Sequence, residues 1–194
     1  MPDATPIQQE FDEAAARARE LAADGSVATR VARAAAICAE SLAAGGKILA
    51  VGNGGSCADA MHFCEELTGR YREDRPAIAA LACTDPGHLT CTANDFGYDH
   101  AFARWVEALA RPGDVLVALS TSGNSENVVR AVAAARARNV RVFTLLGKTG
   151  GRLLGHADVE WVVPGDTADR IQELHMLILH TLVGAIERAV GASR

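Results

Sequence analysis

The chain has 194 residues, 49% of them hydrophobic, and carries a net charge of −5. That length suits one domain with a sizeable core, and the acidic balance leaves no electrostatic footprint for nucleic acid or an anionic membrane. Five cysteines without a C-x-x-C pair (Cys38, Cys57, Cys64, Cys83, Cys91), a polar start unlike a signal peptide and no uninterrupted apolar run of spanning length point to the cytoplasm.

Residues 8–43 read as two helices broken near Asp24-Gly25-Ser26. In the second, Val27, Val31, Ala35, Cys38 and Leu42 recur at helical spacing. This alanine-rich pair has no strand of its own to cover, so it is expected to pack on another helix or another subunit. Lys47 to Val51 (KILAV) is a strand, Gly52-Asn53-Gly54-Gly55-Ser56 a loop, and a helix follows from about Cys57 with Ala60, Phe63, Cys64 and Leu67 on one face. Further strands are expected at 78–82, 115–119, 141–146 and 159–163, with helices at 101–109, 127–138 and 168–190. Near-continuous apolar strands alternating with helices mean a doubly wound α/β domain, a parallel five-stranded sheet with helices on both faces. The N-terminal helical pair would occupy 1–45 and the α/β core 46–194, without repeats or linkers.

Ligands of such sheets bind beyond the carboxyl ends of the strands. The first strand delivers Asn53, Gly54, Gly55 and Ser56 there, a glycine-rich turn whose free N–H groups at a helix start suit an anion. The third delivers Ser120-Thr121-Ser122-Gly123-Asn124-Ser125, a donor-rich nest without positive charge. A tight turn and a helix-capping cluster are the plainer readings of each loop, and two such loops converging on one edge favour a phosphate. Nucleotide and acyl patterns fail: Cys57 stands where G-x-G-x-x-G needs its third glycine, Val142 where a P-loop ending at Gly147-Lys148-Thr149 needs its first, and no G-x-S-x-G surrounds Ser56. His62 and Glu66 lie one helical turn apart on one face, a spacing that also suits a solvated surface pair. The last helix adds Asp169, Gln172, Glu173, His175 and His180. Spacing does not choose between the two histidines, and a histidine after Leu177-Ile178-Leu179 reads by itself as a core residue.

Four stretches carry a resemblance over nearly the whole length: GNGGSCADAMHFCEELTGR from Gly52, ANDFGYD from Ala93, GDVLVALSTSGNSENV from Gly113 and DRIQELH from Asp169. In this combination and order the chain resembles the sugar isomerase (SIS) domains, and within them the sedoheptulose 7-phosphate isomerases, or phosphoheptose isomerases. The resemblance implies aldose–ketose isomerisation of a phosphorylated seven-carbon sugar to D-glycero-D-manno-heptose 7-phosphate through an enediol, the first step of heptose biosynthesis. It implies one zinc per subunit held by His62, Glu66, Gln172 and His180, with Glu66 as base and His180 as acid. Substrate contacts implied are Asn53, Gly54, Gly55, Ser56, Arg70, Asn94, Asp95, Ser120, Thr121, Ser122, Ser125, Asp169 and Gln172. The family also implies a homotetramer with active sites between subunits. Two rivals share the fold: an isomerase of another phosphosugar, and a non-catalytic binding module of the replication-initiator assembly type. The second would need neither a carboxylate at Glu66 nor an imidazole at His180.

Overall fold

Alternation along each strand decides which residues meet which helices. Ile48 and Ala50 point to one side of the sheet, Leu49 and Val51 to the other, and all four are buried, as expected of a strand covered on both faces. The computed structural model describes residues 4–72 and 74–192; Met1 to Asp3 of the polar start lie outside them. Five strands, β1 (Ile48–Val51), β2 (Ala80–Ala82), β3 (Val115–Ser120), β4 (Arg141–Gly147) and β5 (Val159–Val163), pair in parallel in the order β2-β1-β3-β4-β5. Among the described residues seven α-helices accompany them: α1 (Thr5–Ala23), α2 (Ser26–Ala43), α3 (Gly55–Thr68), α4 (Pro86–Phe96), α5 (Ala101–Leu109), α6 (Glu126–Ala137) and α7 (Ala168–Ala192). The chain winds outward from β1 in both directions, so the crevice beyond the ends of β1 and β3 is the topological switch point.

One face is covered by α2, α3 and α7, which bury Cys38, Phe63 and Leu182 over Val117, Phe143 and Trp161. The other is covered by α5 and α6, where Phe102, Val106, Val128 and Val132 close over Leu116, Ala118 and Val142. The expectation that the N-terminal pair covers no strand holds only for α1. Val31, Ala34, Ala35 and Cys38 bring α2 into the sheet core, whereas α1 buries Leu21 and leaves Ile7 and Phe11 57% and 67% exposed.

α4 is an element the sequence pattern does not announce. Thr92 is its only buried residue, so no apolar stripe marks it; its start is fixed by the Asp85 side chain, whose Oδ1 accepts from His88 N at 2.6 Å, and by Pro86 at the first turn. One helix bears on the expected lack of a spanning run. α7 has the length and composition to cross a membrane, yet its Leu174, Leu179, Leu182 and Ile186 are spent on α2, α3 and the sheet. It is the central core helix of the domain face it lies on.

Candidate functional site

Both loops leave the sheet at the switch point, and side chains tie them together. Asn53 and Asn127 exchange amide hydrogen bonds at 2.9 Å in each direction, linking the turn after β1 to the first turn of α6. Tyr98 donates to the same Asn53 Oδ1 at 2.8 Å. The second loop is braced from within and from below. Gly123 N donates to Ser120 Oγ at 3.1 Å, Ser120 and Ser125 hydroxyls lie 3.4 Å apart, and Asn124 N donates to Ser122 Oγ at 3.2 Å. At Gly123 (φ 65) a Cβ would fall 1.8 Å from the Gly150 carbonyl oxygen, so only glycine lets the loop close on the turn after β4.

The nest is not as free of cations as its own sequence suggests. Glu126, first residue of α6, sits between Arg152 and Arg130 at 2.5 and 2.7 Å, and hydrogen bonds from both guanidinium groups hold its carboxyl below the usual carboxylate range. Two cations to one anion leave the loop's rim net positive. Nothing in the loop's sequence marks Arg152, which arrives from the turn after β4.

α3 and α7 run in the same direction, and their facing side chains meet in sequence. At the start of α3, Gln172 Nε2 donates to Ser56 Oγ at 3.4 Å and the Gln172 carboxamide lies against Gly55. Two turns further along, His62 Nε2 lies 3.0 Å from His180 Nε2 and 3.5 Å from Glu66 Oε1. The ligand atoms of His62, Glu66 and His180 all lie within 4.8 Å of one another. A tetrahedral zinc with bonds of about 2.1 Å separates its ligand atoms by roughly 3.4 Å, so these three side chains fit such an ion. The two imidazoles meet edge to face, and the Tyr71 ring stacks on His180 at 5.8 Å between centroids and 16° between planes.

The two histidines left open by the sequence lie in different surroundings. His180 is half-buried and faces α3. His175, five residues earlier, is fully buried against the sheet, its Nε2 bonded to Leu146 O at 3.2 Å, and burial lowers its pKa to about 4. One residue near the trio stands apart: Asp59, one turn before His62, has an Oδ2 that is buried without a hydrogen-bond partner, and burial raises its carboxyl to about 6.

Four expected substrate contacts find their partners outside this cluster. Arg70 pairs with Asp74 at 2.9 Å, Asn94 donates to Asp95 at 2.7 Å on the exposed end of α4, and Asp169, exposed on the first turn of α7, has its carboxyl kept low by the Thr167 hydroxyl. Asn53, Ser56 and Gln172 are linked side by side, Ser120, Thr121, Ser122 and Ser125 form the second loop, and Tyr71, Tyr98 and Asn127 are neighbours the sequence patterns did not single out.

Comparison with known proteins gives one consistent result. The SIS domain pattern matches residues 11–147. Phosphoheptose isomerase from Yersinia pestis (strain Pestoides F) is 52% identical over 183 residues, 94% of this chain and 95% of that protein. The phosphoheptose isomerase of Edwardsiella ictaluri is 51% identical over 187 residues, 96% of this chain and 97% of that one. Among solved structures, a phosphoheptose isomerase from Neisseria gonorrhoeae superposes with a TM-score of 0.88 at 40% identity, covering 95% of this chain and 98% of the other. One from Francisella tularensis gives 0.89 at 34% identity, covering 97% and 100%.

Proposed function

The chain belongs to the SIS domain family and, within it, to the phosphoheptose isomerases, and we propose that it interconverts sedoheptulose 7-phosphate and D-glycero-D-manno-heptose 7-phosphate. The observation that carries the reading is the meeting of His62, Glu66 and His180 beside two phosphate-type loops. An aldose–ketose isomerisation moves a proton between adjacent carbons through an enediol, so it needs a base near the carbon and an acid near the carbonyl oxygen. Glu66 takes the carbon-bound proton and returns it to the neighbouring carbon. His180, oriented by the Tyr71 ring, delivers a proton to the carbonyl oxygen as that proton leaves, and takes one back from the other hydroxyl.

Before substrate enters, His62, Glu66 and His180 would hold the zinc, with Gln172 as fourth ligand and substrate contact from the same face of α7; Glu66 and His180 would leave the ion for proton transfer once the sugar is bound. When bound, the ion would offset negative charge gathering on the sugar oxygens. Ser120, Thr121, Ser122 and Ser125, with Ser56 and the Gly54–Gly55 backbone alongside, receive the phosphate, while Asn53 is held ready by Asn127 and Tyr98. Assembly as a homotetramer is supported by the exposed Ile7 and Phe11 of α1 and by Arg70, Asn94, Asp95 and Asp169, which a second subunit would bring to the sugar. The five free thiols favour a reducing cytoplasm.

Incubation of the pure, zinc-replete protein with a panel of ketose phosphates tests the assignment. Aldose is expected from sedoheptulose 7-phosphate first; turnover of a shorter ketose phosphate alone, or of none, would reject it.

A further inference from the structure

The trio depends on two helices, so whatever fixes α3 against α7 fixes the distance between its members. Gln172, His180 and Glu187 follow one another on α7 at intervals of eight and seven residues, an arc of about 80° on a straight helix. The first meets Ser56 and the second meets His62. The third makes no hydrogen bond to the described residues of α3. Its Oε1 accepts from Arg75 Nε at 2.8 Å, and Arg75 turns the rest of its guanidinium onto the end of α3.

Arg75 Nη2 donates to the Glu66 carbonyl at 2.7 Å, and Nη1 to the carbonyls of Leu67 at 2.8 Å, Gly69 at 3.3 Å and Pro76 at 3.2 Å. The last carbonyls of a helix have no partner within it, and a positive group there also suits the helix dipole. Here those groups belong to the turn that carries Glu66. The Arg75 and Glu187 side chains are only 11% and 8% exposed, which makes this a buried bridge rather than a surface pair. Tyr71, just past the end of α3, lies on His180.

We propose that Arg75, anchored by Glu187, is a positioning residue that clamps the last turn of α3 to α7 and so sets the Glu66 carboxylate against His62 and His180. Lysine would keep the charge but could not span several carbonyls and a carboxylate at once, because the planar fork is what divides its donors among them. The inference rests on the assignment of the trio made above.

The test separates positioning from plain stability. Arg75→Met alone leaves Glu187 buried without its partner and is expected to melt lower. Arg75→Met with Glu187→Met replaces the bridge by apolar side chains of similar length, a change that often keeps or restores stability. The double variant is expected to melt near wild type yet show kcat reduced by about 10–100-fold, with KM for the sugar phosphate changed little, the size seen when groups supporting first-contact residues are removed. Arg75→Lys, the milder change, is expected to keep the fold and lose kcat by about the same order. A zinc titration monitored by calorimetry gives a readout besides turnover, and weaker binding is expected in both variants. Wild-type kcat in the double variant and in Arg75→Lys, alongside a loss in Glu66→Gln, overturns the clamp alone. Full turnover in Glu66→Gln as well would overturn the site reading with it.

Discussion

His62 Nε2 and His180 Nε2 stand 3.0 Å apart across 118 residues of sequence. Two ring nitrogens at that separation are placed for one hydrogen bond between them or for one shared metal ion. With Glu66 Oε1 at 3.5 Å from the same His62 nitrogen, the three side chains could hold one metal ion.

Chelation should therefore remove one zinc per subunit and abolish turnover, and added zinc should restore both. His62→Ala should bind the metal at least 100-fold more weakly, since one of few ligands is lost. Elemental analysis of dialysed protein checks the stoichiometry.

Glu66→Gln and His180→Gln keep a polar side chain of similar reach while removing a group that can transfer a proton. Each should lower kcat by about 10²–10⁴-fold in a metal-replete assay. Solvent hydrogen exchange at the substrate carbon, followed by NMR, should vanish in Glu66→Gln.

Removing a hydroxyl from the second loop should weaken binding of the sugar phosphate by about 1–3 kcal/mol, because a charged acceptor loses a donor. Ser120→Ala should show the larger effect, since its Oγ also accepts from Gly123 N. Ligand titration by calorimetry at fixed ionic strength gives the number.

His175 imposes a pH dependence on stability. Its folded pKa of about 4 lies below the ordinary 6.5, so the unfolded chain binds the extra proton between those values. Stability from this group is present above pH 6.5 and is lost as pH falls towards 4, by about 3 kcal/mol in all. Asp59, raised to about 6, acts in the opposite sense: its contribution is present below the ordinary carboxylate pKa and lost as pH rises through 6. The two slopes oppose each other in wild type. Urea titrations across pH 4–7 should steepen in Asp59→Asn and flatten again when His175→Gln is added.

The apolar side of α1 predicts assembly. Phe11→Glu with Ile7→Glu should leave the fold intact and reduce the mass seen by light scattering at micromolar concentration from four subunits to fewer. A tetramer of unchanged mass would move the contact to another face.

Much of this architecture is readable without coordinates, for a physical reason. Strands such as Val115–Leu119 are buried on both sides, so every residue is apolar and the run is unmistakable. α4 escapes because it buries one threonine and owes its start to a cap rather than a stripe. His175 and His180 could not be sorted because α7 is apolar nearly all round, and which face meets α3 is a tertiary fact. The same holds for Arg75, whose partners besides Glu187 are backbone carbonyls that no side-chain pattern encodes. The ends of elements differ from expectation by up to three residues, the most at the start of α1, which begins at Thr5 rather than residue 8.

Gly54 and Gly55 are indistinguishable as letters, yet their mutational tolerance should differ in kind. Gly54 has open space around it but holds φ at 55° and ψ at −121°, so any side chain strains the main chain itself. Gly55 has ordinary dihedrals in the first turn of α3, and a Cβ there would fall 2.5 Å from the Gln172 carboxamide, a flexible group able to swing away. In a saturation library scored separately for cellular abundance and for activity, variants at 54 should disappear from the first score. Small replacements at 55 should stay abundant and silent, and no second-site change in Gln172 should revive them.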